Sequence, residues 1–291
     1  MDRVSAMTML HTHAIYIHEG QQYLVDKLDW DERRAWVHKV DVDYYTDANL
    51  AVTIKVLDAF KQDAEGALQK QFGEVMTAAK ATIFKKVKLY THENIGWGEI
   101  HLPEEQMHTA ACWLTVPPAL AEQFRPDELQ SALLGTAHLL ESLAPMFLMC
   151  DPKDLRATVQ MRAPHDQRPT IYLYDSYPGG IGLAEKAYDL LPVMLQTALE
   201  QAAGCSCQDG CPACIGPEAG QKQLEMLSGE VTGFSVLPLT SEAAVANGAD
   251  GNGADRNGSS GNGAAAPISA RAATVRFLRL ALEQTEAAPS V

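Results

Sequence analysis

The chain of 291 residues carries 23 basic against 37 acidic side chains, a net charge of −14, and is 46% apolar and 21% charged. That length suits about two domains with sizeable cores. The acidic excess argues against wrapping nucleic acid by bulk charge, and leaves only a local basic groove open. The imbalance is uneven, with −3 on residues 1–100 and −11 on residues 101–291.

The first hundred residues alternate like strands. Ala14–His18, Gln22–Leu28 and Arg34–Val42 are short β-rich runs separated by polar turns, the pattern of a meander. Ala51–Phe60 predicts a further strand, Phe72–Tyr90 two more, and Gly96-Trp97-Gly98 a turn before Ile100. Residues 1–116 therefore predict a small β barrel or sandwich. After Pro117-Pro118 the period changes. Pro126-Asp127-Glu128 opens a helix with acids in its first turn, and Leu129, Leu133, Leu134, Ala137 and Leu140 follow at helical spacing. Pro145 limits or kinks it. Thr158–Met161 and Thr170–Tyr174 predict strands, and Ile181–Ala203 a helix kinked or broken at Pro192. Gln221–Leu227 predicts a short helix. The whole is an α+β chain: a β-rich domain over 1–116, an α/β domain over 117–228, a flexible linker over 229–270, and a C-terminal amphipathic helix over 271–291. The linker rests on the Ala, Gly, Asn and Ser content of 241–270. The helix, periodic over Ala273–Gln284, needs a surface to pack on, either the body of the chain or another protein.

The strongest chemical signal is Cys205-Ser-Cys207-Gln-Asp-Gly-Cys211-Pro-Ala-Cys214, a C-x-C-x3-C-x2-C cluster holding four of the six cysteines. Four soft ligands at this spacing suit one tetrahedral structural zinc, with Gly204 and Gly210 supplying a permissive backbone. An iron–sulfur cluster is the alternative, since Cys207, Cys211 and Cys214 match a C-x3-C-x2-C spacing. Against it, that spacing normally precedes a long α/β barrel, and only 77 residues follow Cys214. Disulfide pairing is a weaker third, because no signal peptide is visible in MDRVSAMTMLHTH and the cysteines are not spread as in a secreted scaffold. The most apolar stretch, Leu133–Cys150, is broken by His138, Glu141 and Pro145, so no membrane span is expected and the chain reads as cytoplasmic.

Other groups carry less. Pro178-Gly179-Gly180-Ile181-Gly182 joins a strand to a helix; it reads as a tight turn, with Asp175 as a capping carboxylate, more readily than as an anion site. His11, His13 and His18 lack acidic or cysteine partners at metal-binding spacing, and His138 reads as a core histidine. Asp151-Pro-Lys-Asp154 reads as a capping turn. Arg156, Arg162 and Arg168 form the most basic local stretch of the C-terminal part and are the weak candidates for phosphate contact. No Walker A motif, nucleophile–base pair or open metal site is present, so no catalysis is expected of this chain.

Tyr23–Ala48, Met146–Leu155 (MFLMCDPKDL), Ile171–Tyr188 (IYLYDSYPGGIGLAEKAY) and the four cysteines together resemble the C-terminal region of MrfA-type DEAD/DEAH-box helicases. The resemblance covers about residues 1–227, and PGGIGL with the cysteine cluster is its most specific part. It implies zinc on Cys205, Cys207, Cys211 and Cys214, a RecA-like motor as partner in cis or in trans, DNA as a further partner, and a setting in DNA repair. Without the motor, the chain is expected to be a fragment or a separately encoded accessory module. The second reading is a protein–protein adaptor that binds a separately encoded helicase through its C-terminal helix.

Overall fold

The computed structural model describes residues 1–216 and 268–283. The predicted helix at Gln221–Leu227 and most of the predicted linker lie outside them.

A short helix α1 (Arg3–Met9) precedes a three-stranded antiparallel meander, β1 (Ile15–His18), β2 (Gln21–Asp29) and β3 (Arg34–Lys39). The second sheet is built around two long strands, β4 (Tyr44–Glu65) and β5 (Leu68–Lys88). It continues through β6 (Asn94–Glu99), β7 (Glu105–Thr115), β8 (Leu155–Gln160) and β9 (Thr170–Asp175). Its order is β4-β5-β7-β9-β8 with β6 on the far part of β5, and β4 curls back towards β8 to give a barrel-like sheet. The α+β class expected from the sequence is the one found.

Three details differ from the sequence reading. The two β runs inside 72–90 are one strand, because β5 stays paired with β4 through bulges at Asn49/Leu50, Val56/Asp58 and Ala59/Lys61 rather than turning. Gly96 and Gly98 lie in strand β6, not in a turn. A Cβ on Gly98 would sit 2.5 Å from the Phe84 ring, so glycine is needed for close approach. The sheet also runs across residues 116–117, where the pattern changes, because β7 pairs with β9 from Ala111↔Tyr174 to Thr115↔Thr170.

Helices cover one face of this sheet. After a short turn of helix, α2 (Pro118–Ala121), α3 runs from Pro126 to Leu148, opened as expected by Pro126, Asp127 and Glu128. The Glu128 carboxylate accepts the Arg125 N–H at 3.3 Å. By length and composition α3 could cross a membrane, but Leu129, Leu133, Leu139, Leu140 and Leu143 are buried in the main core, so it is a core helix. Helix α4 (Leu183–Gly204) passes through Pro192 without a break. Pro192 is on the exposed side, while Leu191, Met194 and Leu195 hold the buried side. The last described helix, α5 (Ala270–Glu283), packs on α3 and α4 with Phe277 and Leu278 fully buried. Burying two such side chains contributes about 4 kcal/mol, enough to hold a helix that would be marginal alone. The tip of the β4–β5 hairpin reaches the same helix, where the Ala67 N–H donates to the Ala281 carbonyl at 2.8 Å.

Candidate metal centre

Helix α4 ends at Gly204, and Cys205 leaves it in an extended conformation. The chain then doubles back through Gly210 at φ +132°, where a Cβ would meet Ile215 Cγ1 at 2.8 Å and the Gly216 carbonyl at 2.9 Å. The returning turn is a compact knuckle. Cys214 N–H and Gly216 N–H both donate to the Cys211 carbonyl at 3.0 Å, and Cys211 N–H donates to Cys214 Sγ at 3.3 Å.

The four sulfurs converge. Cys205–Cys207 and Cys207–Cys214 are 3.4 Å apart, Cys205–Cys211 and Cys211–Cys214 are 3.6 Å apart, and all four sulfurs lie within 4.8 Å of one another. A tetrahedron with metal–sulfur bonds of about 2.3 Å has edges of about 3.8 Å, so the set fits one zinc-sized ion. A disulfide would bring two sulfurs to about 2.05 Å, and all four cysteines are free thiols. Packed together, the thiols favour one thiolate at the expense of another. Cys205 is drawn down to about 7 by the Cys207 backbone N–H and the neighbouring thiols. Cys207 is pushed up to about 12 by desolvation first and by those thiols second. A divalent cation at their centre removes that conflict.

Three helices fix the loop. From α4, Gln201 Nε2 donates to the Ala213 carbonyl at 2.5 Å. On α3, Gly135 leaves room for Ile215, whose Cβ would be 3.1 Å from a Cβ there, and for Thr274 of α5. Just before α5, Ser269 Oγ donates to the Gln208 carbonyl at 3.1 Å. Cys214 is 1% exposed beneath this packing. Gln201 and Ser269 were not singled out from the sequence. Nor was Gly135, although a glycine inside an otherwise apolar helical pattern can mark a close approach. His138, read as a core histidine, lies beside the knuckle at Gly216 but outside the converging set, and its Nε2 is buried without a partner among the described residues. His11 is buried, its ring tilted against that of Phe84 with centroids 4.5 Å apart.

At the other end of α4 the Gly-rich turn holds no free anion cradle. The Asp175 carboxylate fills it: Oδ2 accepts the N–H groups of Ile181 at 2.6 Å and Gly182 at 3.0 Å, and Oδ1 accepts that of Ala184 at 2.7 Å. Asp175 is fully buried at the end of β9 and caps the helix from outside its own sequence. Gly180 (φ +75°) must pass beneath it, since a Cβ there would lie 2.8 Å from Ala110 Cβ and 3.2 Å from Asp175 Oδ2. The Asp151–Asp154 turn is a capping turn as expected, with Lys153 N–H on Asp151 Oδ1 at 2.9 Å and Asp151 N–H on Asp154 Oδ2 at 3.0 Å.

The three arginines singled out earlier lie on the β8–β9 hairpin. Arg156 pairs with Glu141 at 3.0 Å and Arg168 with Asp166 at 2.9 Å, while Arg162 is exposed without a partner among the described residues.

The MrfA Zn-binding domain, as a family model, matches residues 136–215, which run from α3 to the knuckle. The chain is 50% identical over 218 residues to the ATP-dependent helicase YprA of Bacillus subtilis, covering 75% of this chain and 29% of that protein. It is 27% identical over 222 residues to the ATP-dependent helicase HRQ1 of Saccharomyces cerevisiae, covering 71% and 20%. A crystal structure of the helicase MrfA bound to DNA superposes with a TM-score of 0.57 at 48% identity, over 78% of this chain and 31% of that one. The chain thus spans less than a third of each of these relatives. Residues 136–215 thus match the MrfA Zn-binding domain, and the chain as a whole is similar to the C-terminal region of MrfA-type helicases that carries it.

Proposed function

We propose that this chain is the zinc-stabilised accessory module of a DNA helicase, with one structural zinc held by Cys205, Cys207, Cys211 and Cys214. The observation that carries the reading is the closed set of four sulfurs within 4.8 Å, three of them partly covered and Cys214 buried. A closed tetrahedron leaves no open position for a catalytic water, so the metal serves the fold. A multi-iron cluster would place iron and sulfide between the cysteines and spread the sulfurs further apart, which favours a single ion over the iron–sulfur alternative.

ATP hydrolysis belongs in this reading to a RecA-like motor, in cis or in trans, because the sequence has no Walker A motif. The solved MrfA relative is bound to DNA, which supports DNA as a partner of this module. On the β8–β9 hairpin, Arg162 is the arginine best placed for phosphate. The adaptor reading loses support from α5, whose apolar face is already covered by α3 and α4. Metal analysis of the purified chain tests the proposal: one zinc per chain is expected, and iron with sulfide, or no metal, would sink it.

A further inference from the structure

Helix α5 carries Arg271, Arg276 and Arg279 against a single acid, Glu283, in a chain whose net charge is −14. All three arginines open on one cleft of about 490 Å³, walled on the other side by Gln123 and Ala203. Glu283 is the one acid in its lining among the described residues. Val275 and Leu280 form apolar floor between the charges.

Two of the guanidiniums are held in place. Arg276 stacks on the Phe124 ring, 4.7 Å from its centroid, and its Nη2 donates to the Gln123 carbonyl at 3.0 Å. Arg271 Nη1 donates to the Ala202 carbonyl near the end of α4 at 3.1 Å. Each guanidinium has five N–H donors and spends one on these contacts; Arg271 Nε is buried with no partner among the described residues. Arg279 is exposed, with no partner among the described residues. Fixing a cation in this way lowers the entropy lost when an anion arrives, and the planar fork suits phosphate. From 271 to 279 the helix rises roughly 12 Å, long enough to meet more than one phosphate of a strand.

We propose that the α5 cleft holds the phosphate backbone of a DNA strand. This rests on the DNA-associated reading of the module and adds to it a surface outside residues 136–215, the zinc-binding match. It is the local basic groove that the net charge left open.

The test is a fluorescence-anisotropy titration of the full chain with a labelled 20-nucleotide oligothymidylate at 50 and 200 mM salt. The wild-type chain should bind with a negative salt dependence. Arg276→Gln/Arg279→Gln should weaken binding on the order of tenfold at low salt and flatten the log–log salt slope by about 1.4, from two lost single-strand phosphate contacts. Arg279→Gln alone, at a side chain with no described partner, should flatten it by about 0.7 with melting temperature and zinc content unchanged. Variants that bind like the wild type overturn the cleft while leaving DNA docking elsewhere intact. A wild-type chain that binds no DNA removes both readings. Binding of poly-glutamate in place of DNA overturns the proposal in favour of an acidic protein partner.

Discussion

Asp175→Ala removes the acceptor for three backbone N–H groups at the start of α4. Hydrogen bonds to a charged group are worth about 1.5–3 kcal/mol each, but simple addition overstates the loss. Ile181 and Gly182 are exposed, so water can take up their donors once the carboxylate is gone. Ala184 is buried, and its N–H would be stranded at a further cost of about 1–3 kcal/mol. The expected destabilisation is about 3–5 kcal/mol. Asp175→Asn is nearly isosteric but carries one carbonyl oxygen, so its NH2 must face either the Ile181 and Gly182 donors or that of Ala184. It should cost about 2–3 kcal/mol. Urea unfolding followed by circular dichroism, with zinc content checked at each stage, measures both. An alanine variant within 1 kcal/mol of the wild type, or an asparagine variant equal to it, would show that the carboxylate does not hold the helix.

Cys211→Ser should lose stoichiometric zinc and expose the α4–knuckle junction to protease, because zinc-binding energy is largely folding energy; retention of a full zinc complement would contradict the four-sulfur assignment. Phe277→Ala empties a fully buried site between α5 and the helices beneath it and should cost about 3–5 kcal/mol in unfolding free energy. Gly180→Ala combines a positive φ with a close approach to Ala110 and should lower the melting temperature by several degrees, whereas Gly204→Ala, with open space around it, should not. Burial holds the His11 ring below its ordinary pKa, so the folded state resists a proton that the unfolded chain accepts. Stability from this group is full above about pH 6.5 and is lost as pH falls below it, by up to about 1.4 kcal/mol per unit until the folded-state pKa is reached. His11→Phe should flatten that acid limb in denaturation series at pH 5, 6 and 7, and an unchanged limb would assign the acid loss elsewhere.

The four-cysteine cluster was legible in the sequence because its members are local: four cysteines in ten residues meet after one helix end and one glycine turn. The Asp175 cap was legible only as an option, since its choice between a turn and an anion site depends on β9 delivering the carboxylate beneath α4. The length of β4 and β5 was hidden because bulges shift the side-chain alternation, so one strand reads as two. Gly98 misled because glycine marks both turns and close approaches, and the Phe84 ring that needs the space is more than ten residues away. The Pro192 break did not occur, since Pro192 lies on the exposed side of α4 while Leu191, Met194 and Leu195 keep the helix packed on the core. The α5 arginines gave no signal, because their meaning depends on the cleft that α5 forms beside Gln123 and Ala203.

Strand β5 has a mechanical consequence. At about 3.3 Å per residue its 21 residues reach up to roughly 70 Å. One end leads into the hairpin tip fastened to Ala281, the other carries β6, and the ladder to β4 runs the whole length. A load applied along this axis would pull on many ladder hydrogen bonds in parallel, in shear, whereas a load across it would peel them one at a time. The module should therefore be stiff along β5 and yielding across it, a strut that passes tension between its far ribbon and the helix beside its zinc knuckle.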